Sequence, residues 1–585
     1  MGTPKWVPLT MWVPPSHPTL VPDATDRRGA QRPSRRKERK MSTRHEAQLA
    51  LTNETRREGT EMSVESSKEK SPWSERTKML AAGFLVAAMM AALSLMPASS
   101  AHAAKTFTVN LTSDTPDANL SRVACDVNPS ALGKQCTLRA AIQQANATAG
   151  ADTIRFAIPG TGVKTIHVNS DGFGALPTIK KQVTIDGYTQ AGAHPNTLAV
   201  GNDAALKVVL DGTNATGRNG LQIDGASNSV IKGLVINSFG ATGIYVFGDS
   251  VGNRIEGNFI GTDPTGTLDR GNGTAGVSIY DGPTRDIVVG GTTPAARSLI
   301  SGNRTGVETG NGVGGVPAEA HRIEGNYIGT DRSGTKDLGN DFDGIFLDDT
   351  SHISVKGNVV SGNGFDGMEI FVNSNDALVL GNRIGTTADG TGALGNDVEA
   401  VAITGSHNFI GSGGSPNTIA FNGGEGINVS GGTANRIDAN SIFSNGAIGI
   451  DLSGGVEDAT GRTANDPGDA DTGSNGLQNF PVITSAKTAS GKTTITGTLN
   501  SIPSGVGTGY SVQFFSNPAG GDEGKTFLGE INIDADALGN ATFTFSPSSP
   551  VAVGRTITAT AIASFPNFSD LDTSEFSAPM TVASS

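Results

Sequence analysis

Four carboxylates occupy equivalent places in a repeating sequence: Asp343-Gly344-Ile345, Asp366-Gly367-Met368, Glu399-Ala400-Val401 and Glu425-Gly426-Ile427. If each repeat is one coil of a stacked solenoid, these side chains line up about 4.8 Å apart along one edge. Neighbouring charges at that spacing repel by about 3 kcal/mol at an effective dielectric of 20, and by under ~1 kcal/mol in water. Bound Ca²⁺ or raised pKa values would relieve the repulsion. The column therefore reads as a groove for a cation or a substrate, or more plainly as four solvated turn residues.

A second acidic group is Asp466, Asp469 and Asp471 within Asn465–Asn475. Oxygen ligands at alternating positions of a Gly-rich loop suit Ca²⁺, although the bidentate Glu of an EF-hand is missing. A solvated linker is the alternative. Asp348-Asp349 followed by His352 resembles paired glycosidase acids only faintly, and a turn followed by a surface histidine accounts for it. Lyase chemistry would need a base beside a carboxylate-bound cation. Arg254, Arg322 and Arg436 share one repeat position, four residues before an asparagine, about half a coil from the acidic column and so on another face. No Ser/His/Asp or Cys/His arrangement and no metal-ligand histidine spacing is present, so no catalytic residue is assigned. Phe342, Phe365 and Phe371 are candidate exposed rings on a binding face, or core filler.

The elements that must position these groups follow from the repeat. Residues 255–272, 323–340 and 379–396 are near copies built on Ile-Gly-Thr-Asp and Gly-Asn, with shorter Gly-Asn echoes between them. Asparagines recur at about 23 residues, from Asn303 to Asn326, Asn358 to Asn382 and Asn417 to Asn440. A period of this length signals a solenoid. Apolar residues alternate in short pieces such as Ile353-Ser354-Val355, which is strand periodicity. Three short strands per coil make a parallel β-helix, with Gly and Asn at the turns and Asn side chains bonding from coil to coil. The 79 glycines are well above the average of about 7% but lack a three-residue period, which excludes collagen.

Both ends carry separate signals. Residues 80–96 are apolar, follow Arg76 and Lys78, and precede Ala101-His102-Ala103, so 74–103 reads as a secretory signal peptide, with an uncleaved anchor as the alternative for a slightly long apolar run. Residues 1–73 have no core pattern and read as a disordered lead or a start codon assigned too early. Removing 1–103 takes away 16 Lys+Arg and 10 Asp+Glu, leaving 27 basic and 46 acidic residues and a net charge of −19. That charge argues against nucleic acid and anionic membranes as partners. In an exported chain, Cys125 and Cys136 read as one disulfide. Thr137 can cap a short helix with an apolar face of Leu138, Ala141, Ile142 and Ala145, covering the first coil. After Phe480-Pro481, alternating segments such as 493–499 and 556–561 suggest an immunoglobulin-like sandwich.

The string Cys136-Thr137-Leu138-Arg139-Ala140-Ala141 resembles the Cys-Ser-Leu-Arg-Glu-Ala (CSLREA) motif that opens a family of exported bacterial β-helix proteins. Thr137 stands for the usual Ser and Ala140 for the usual Glu. The resemblance covers about 104–480 and implies a right-handed coil. It carries over no catalytic residue. The expected architecture is all-β: a cap over 104–151, a right-handed parallel β-helix over 152–480 and an immunoglobulin-like β-sandwich over 481–585. The expected role is a secreted or cell-surface, adhesin-like rod that binds a polysaccharide or surface protein without catalysis. The alternative is a Ca²⁺-dependent polysaccharide lyase or other carbohydrate-active enzyme. Ca²⁺ is the one cofactor the acidic groups suggest, and no membrane span is expected after signal cleavage.

Overall fold

Short triplets such as Val230-Ile231-Lys232 and Arg254-Ile255-Glu256 send one side chain inward and two outward. The inward residues must stack to leave water, and stacking in register builds the rod. In a computed structural model, which describes residues 103–310, 318–504, 509–563 and 571–584, three parallel sheets of 11, 10 and 9 strands run side by side. The expected leader 1–73 and the signal peptide, apart from Ala103, lie outside the described residues.

The first sheet runs from Thr106–Val109 to Arg436–Ile437, the second from Lys164–His167 to Ser441–Phe443, and the third from Leu221–Asp224 to Ile450–Leu452. One interior column shows the register: Ile231, Ile255, Val289, Ile323, Val355, Val379 and Ile410 pair in succession, all fully buried. Each such side chain contributes about 1.5–3 kcal/mol by leaving water. This is a parallel β-helix.

Asparagine ladders hold the turns. Between the first and second sheets, Asn326, Asn358, Asn382 and Asn417 each donate from Nδ2 to the Oδ1 of the next, ending at Asn440, at 2.9–3.1 Å. Between the second and third, Asn272, Asn303, Asn340, Asn363, Asn396 and Asn422 do the same at 2.8–3.2 Å, and Asn445 accepts the last bond. The expected pairs Asn358–Asn382 and Asn417–Asn440 are ladder neighbours. Asn303 and Asn326 are not: they sit in different ladders, and Asn303 bonds Asn340 because an inserted loop lengthens that coil.

The Gly-Thr-Asp repeats are those insertions. Asp263 Oδ1 accepts from the backbone of Thr267 and Leu268, and Asp331 Oδ1 from Thr335 and Lys336, so both aspartates close turns. The loops stack through Arg332 N–H to Gly266 O and Ala388 N–H to Gly334 O.

Thr106–Val109 pairs with Thr153–Phe156, so the amino-terminal segment supplies the first rung as well as the cap. Thr137 Oγ1 accepts from Ala140 N–H at 3.1 Å and starts the helix Leu138–Ala147. Cys125 and Cys136 are disulfide-bonded. Arg139, 4% exposed, grips both carboxylate oxygens of Asp114 and the carbonyls of Gly174 and Ala175. The arginine of the CSLREA-like string is a clamp between cap and rod.

Two four-stranded sheets follow, sharing one core that includes Ile495, Phe514, Phe543 and Ile557. This β-sandwich closes the rod's far end. Phe515 and Phe576 join the rod's core, and Ile442 exchanges backbone hydrogen bonds with Gly524. Glu575 accepts from the N–H groups of Leu452 (3.0 Å) and Thr463 (2.8 Å). Backbone donors that the last coil would leave unpaired thus find carboxylates. Among the described residues, no helix is long and apolar enough to cross a membrane.

Candidate functional site on the third sheet

The outer faces of the three sheets differ. On the first, opposite charges alternate from coil to coil: Arg155 opposes Asp186, Asp186 opposes Lys232, and Lys232 opposes Glu256. Arg254 and Arg436 lie here, held by Glu256 and Asp438 of their own coils, and Arg322 begins another strand of the same sheet. The second sheet's outer row is apolar, with Val235, Phe259, Leu299 and Tyr327 packed with Ala204 and Leu206 of a long loop. Arg297 and Arg332 pin that loop through its carbonyls at 198, 199, 201, 202 and 204.

The third sheet's outer row mixes rings, hydroxyls and carboxyls. Tyr245, Ser278, Glu308, Phe346, Glu369, Ala402, Asn428 and Asp451 are register partners on successive coils. Tyr245 stacks on Phe247 with centroids 4.7 Å apart, and Phe346 tilts against Phe371 at 5.8 Å. The Tyr280 ring lies over Gly310, where an added Cβ would sit 2.2 Å from the ring.

The predicted acidic column borders this row. Gly344 N–H bonds Asp366 O, Gly367 N–H bonds Glu399 O, and Ala400 N–H bonds Glu425 O, which fixes the four residues in register. The solvated-turn reading fails for Asp343 and Asp366, which are only 7% and 2% exposed. Asp343 Oδ1 accepts from Asp366 N–H and Asp366 Oδ1 from Glu399 N–H, turning the carboxyls along the column. Asp343, Asp366 and Glu369 each bring a carboxylate oxygen within 4.8 Å of the others. Glu369 was missed in the sequence because it is a strand residue, outside the column's turn position. The alternation Met368-Glu369-Ile370 is the signal that could have found it.

Burial pushes Asp343 up to about 7, with Glu399 adding and the Asp366 N–H and Arg304 opposing. Asp366 is driven up by burial first and then by its hydrogen bond to the Glu399 carboxylate, with the charges of Asp343 and Glu369 adding. Gly344 keeps this turn narrow: a Cβ there would lie 2.5 Å from Val360 Cγ1 and 2.7 Å from Asn363 Nδ2.

Glu425 ends the column. It lines a depression of about 320 Å³ with Asp451, Glu457 and Asp522. Burial, then Glu425 and Glu457, raise Asp451 to about 6.

Upstream, Glu308 bonds Ser278 and is pushed up by burial, while Asp348 on the adjacent coil reaches about 6 through burial and Asp349. Asp349 and His352 have φ of 48° and 58°, the left-handed backbone of turn residues, and His352 faces Asp376 at 3.9 Å. Of the predicted rings, Phe342 and Phe365 are 44% and 42% exposed, and Arg304 lies over Phe342 at 4.4 Å.

Asp466, Asp469 and Asp471 also bring oxygens within 4.8 Å of one another. Asp469 is fixed by Gln478, Asn479 and Ser501, and burial raises it to about 6. Asp471 Oδ1 is buried without a hydrogen-bond partner. Three converging carboxylates, one of them with an orphaned oxygen, fit a Ca²⁺ donor set.

No family model and no curated protein matches this chain. Among solved structures, similarity is found to the Azotobacter vinelandii mannuronan C-5 epimerase AlgE6 A-module. That match has 16% identity and a TM-score of 0.36, over 59% of this chain and 79% of that one. Pectate lyase Pel9A matches at 14% identity and TM-score 0.29, over 63% and 84%. The bacteriophage CBA120 tailspike protein 2 matches at 12% identity and TM-score 0.23, over 73% and 75%.

Proposed function

We propose that this protein is an exported, secreted or cell-surface rod of adhesin-like character that binds glycan chains without cleaving them, using the outer face of its third sheet. The observation that carries the reading is the row of rings and oxygen acceptors from Tyr245 to Asp451, interrupted at Ala402. Aromatic faces can lie against the apolar face of a sugar ring, while carboxylates and Asn428 accept hydrogen bonds from hydroxyls. Catalysis by the acidic column is disfavoured because Asp366, its most strongly proton-holding member, is sealed from substrate.

A second reading, a Ca²⁺-dependent polysaccharide lyase or other carbohydrate-active enzyme, is favoured by one observation. Glu308 and Asp348 are half-buried carboxyls on adjacent coils beside Tyr280, and both are shifted toward holding a proton. A carboxyl protonated near neutrality can serve as a general acid. Size-exclusion profiling of a polysaccharide panel, incubated with the protein and Ca²⁺, separates the readings. Intact polymer co-eluting with protein is the expected result. Polymer shifted to lower mass, and left intact by Glu308→Gln or Asp348→Asn, would establish the enzyme.

A further inference from the structure

The third sheet is also distinguished by what it lacks. Its nine strands contain no lysine or arginine, whereas the first sheet's strands contain six and the second's two, Lys164 and Arg383. Acids and rings interleave along its outward row: Glu308 is followed by Phe346 and then by Glu369 on successive coils. Asp451 continues the row toward the Glu425–Glu457–Asp522 depression. Glu308, Glu369 and Asp451 are half-buried in this one face, and a cation laid along them would offset their gathered negative charge.

The backbone of this face narrows the choice of ligand. The strands' N–H and C=O groups are paired from coil to coil, so an extended peptide finds no free edge to join. A ligand is read by side chains alone, repeating at about 4.8 Å along a straight axis. A stiff polymer with an apolar ring face, hydroxyls and positive charges at regular intervals meets all three demands. The rings take the sugar faces, and a cation over an aromatic ring is itself attractive.

We infer that the third sheet binds a polymer of amino sugars carrying free, protonated amines, lying along the rod axis between the acids and rings of successive coils. This rests on the glycan-binding reading above and adds the chemical class of the glycan.

The test is binding of size-matched oligomers to the purified protein by calorimetry: glucosamine, N-acetylglucosamine, glucose, galacturonate with Ca²⁺, and a lysine peptide of equal charge. The glucosamine oligomer is expected to bind at least about tenfold more tightly than its acetylated counterpart, because acetylation removes the charge from each amine. Glu308→Gln/Glu369→Gln is expected to erase that preference, and Phe247→Ala to weaken both sugars. Equal binding of the amine and acetylated oligomers would overturn the inference and leave glycan binding standing. Tighter binding of galacturonate with Ca²⁺ would overturn it in favour of a bridging metal. A lysine peptide binding as well as glucosamine would show that any polycation suffices, and overturn it too. No binding by any sugar would remove the glycan reading along with it.

Discussion

Asn445 ends its ladder on a carboxylate of the sandwich: its Nδ2 lies 3.1 Å from Glu523 Oε1, and its backbone N–H reaches the same oxygen at 3.3 Å. Every earlier rung donates to another asparagine. A ladder of donors needs an acceptor at its open end, and the sandwich supplies it together with Glu575. The sandwich thus terminates the rod's hydrogen bonding, and the unpaired edge that invites aggregation is covered.

Proton binding should tighten this joint. Burial pushes Glu523 and Glu575 each up to about 7. A carboxyl whose folded pKa is raised adds stability fully present below its unfolded pKa and loses it as pH rises through the folded value. The shift from 4.5 is on the order of 3 kcal/mol per group. Hydrogen exchange of the segment 434–463, corrected for intrinsic rates, is expected to be slower at pH 5 than at pH 8. Glu523→Gln/Glu575→Gln should flatten that dependence.

Removing one rung should be felt locally. Asn363 accepts from Asn340 and donates to Asn396. Asn363→Ala takes one hydrogen bond from each of these neighbours, at about 0.5–1.5 kcal/mol each, while Asn340 keeps Ile300 O and Asn396 keeps the backbone N–H of residue 363. Urea unfolding is expected to shift by a few kcal/mol, with the largest loss of exchange protection in the coils on either side. An unchanged midpoint would show that strand packing alone holds the turns.

Arg139 should be irreplaceable by lysine. Its fork satisfies Asp114, which is fully buried, as well as two carbonyls of the next coil. Arg139→Ala strands a buried carboxylate and is expected to cost about 3–5 kcal/mol, and Arg139→Lys to recover only part of that because it has no bidentate fork. Denaturant melting of the three proteins, with the disulfide kept oxidised, checks the ranking.

The cap arginine shows how legibility divided along the chain. The helix was readable because Thr137 and the Leu138–Ile142 spacing are local signals. The role of Arg139 was not, since its partners come from 25 to 36 residues away. The same rule separates the ladders: Asn358–Asn382 followed from the 23-residue echo, but Asn303–Asn340 crossed an insertion that no fixed period describes. The acidic column was legible as an alignment, while its burial depended on how adjacent turns lean over one another. The ring row of Tyr245 and Phe346 hides inside ordinary strand alternation, where outward and inward residues look alike until the register is known.

Calcium is expected to stabilise the segment beside the sandwich. Asp466, Asp469 and Asp471 converge, and Asp471 Oδ1 has no hydrogen-bond donor. Burial first, and the cluster's mutual charge second, raise Asp469 and Asp471, and a divalent ion there would neutralise the charge part. Thermal melting with millimolar Ca²⁺ should rise in the wild type and stay unchanged in Asp471→Asn. Identical melting of the wild type with and without Ca²⁺ would assign the cluster to turn formation.

The buried column makes the sharpest prediction of sign. Asp366 holds its proton in the fold at pH values where an unfolded aspartate, at 3.8, has lost it. Keeping that proton costs stability that grows as pH rises above the unfolded value, at about 1.4 kcal/mol per pH unit for the coupled group. Asp366→Asn keeps the shape and an oxygen acceptor for the Glu399 N–H, and has no proton to hold. It is therefore expected to be more stable than wild type at pH 8 and no more stable at pH 4. Paired melting curves at the two pH values read the difference directly. A variant less stable at pH 8 only when Ca²⁺ is present would mean instead that Asp343, Asp366 and Glu369 share a metal ion, whose binding had been holding the column together.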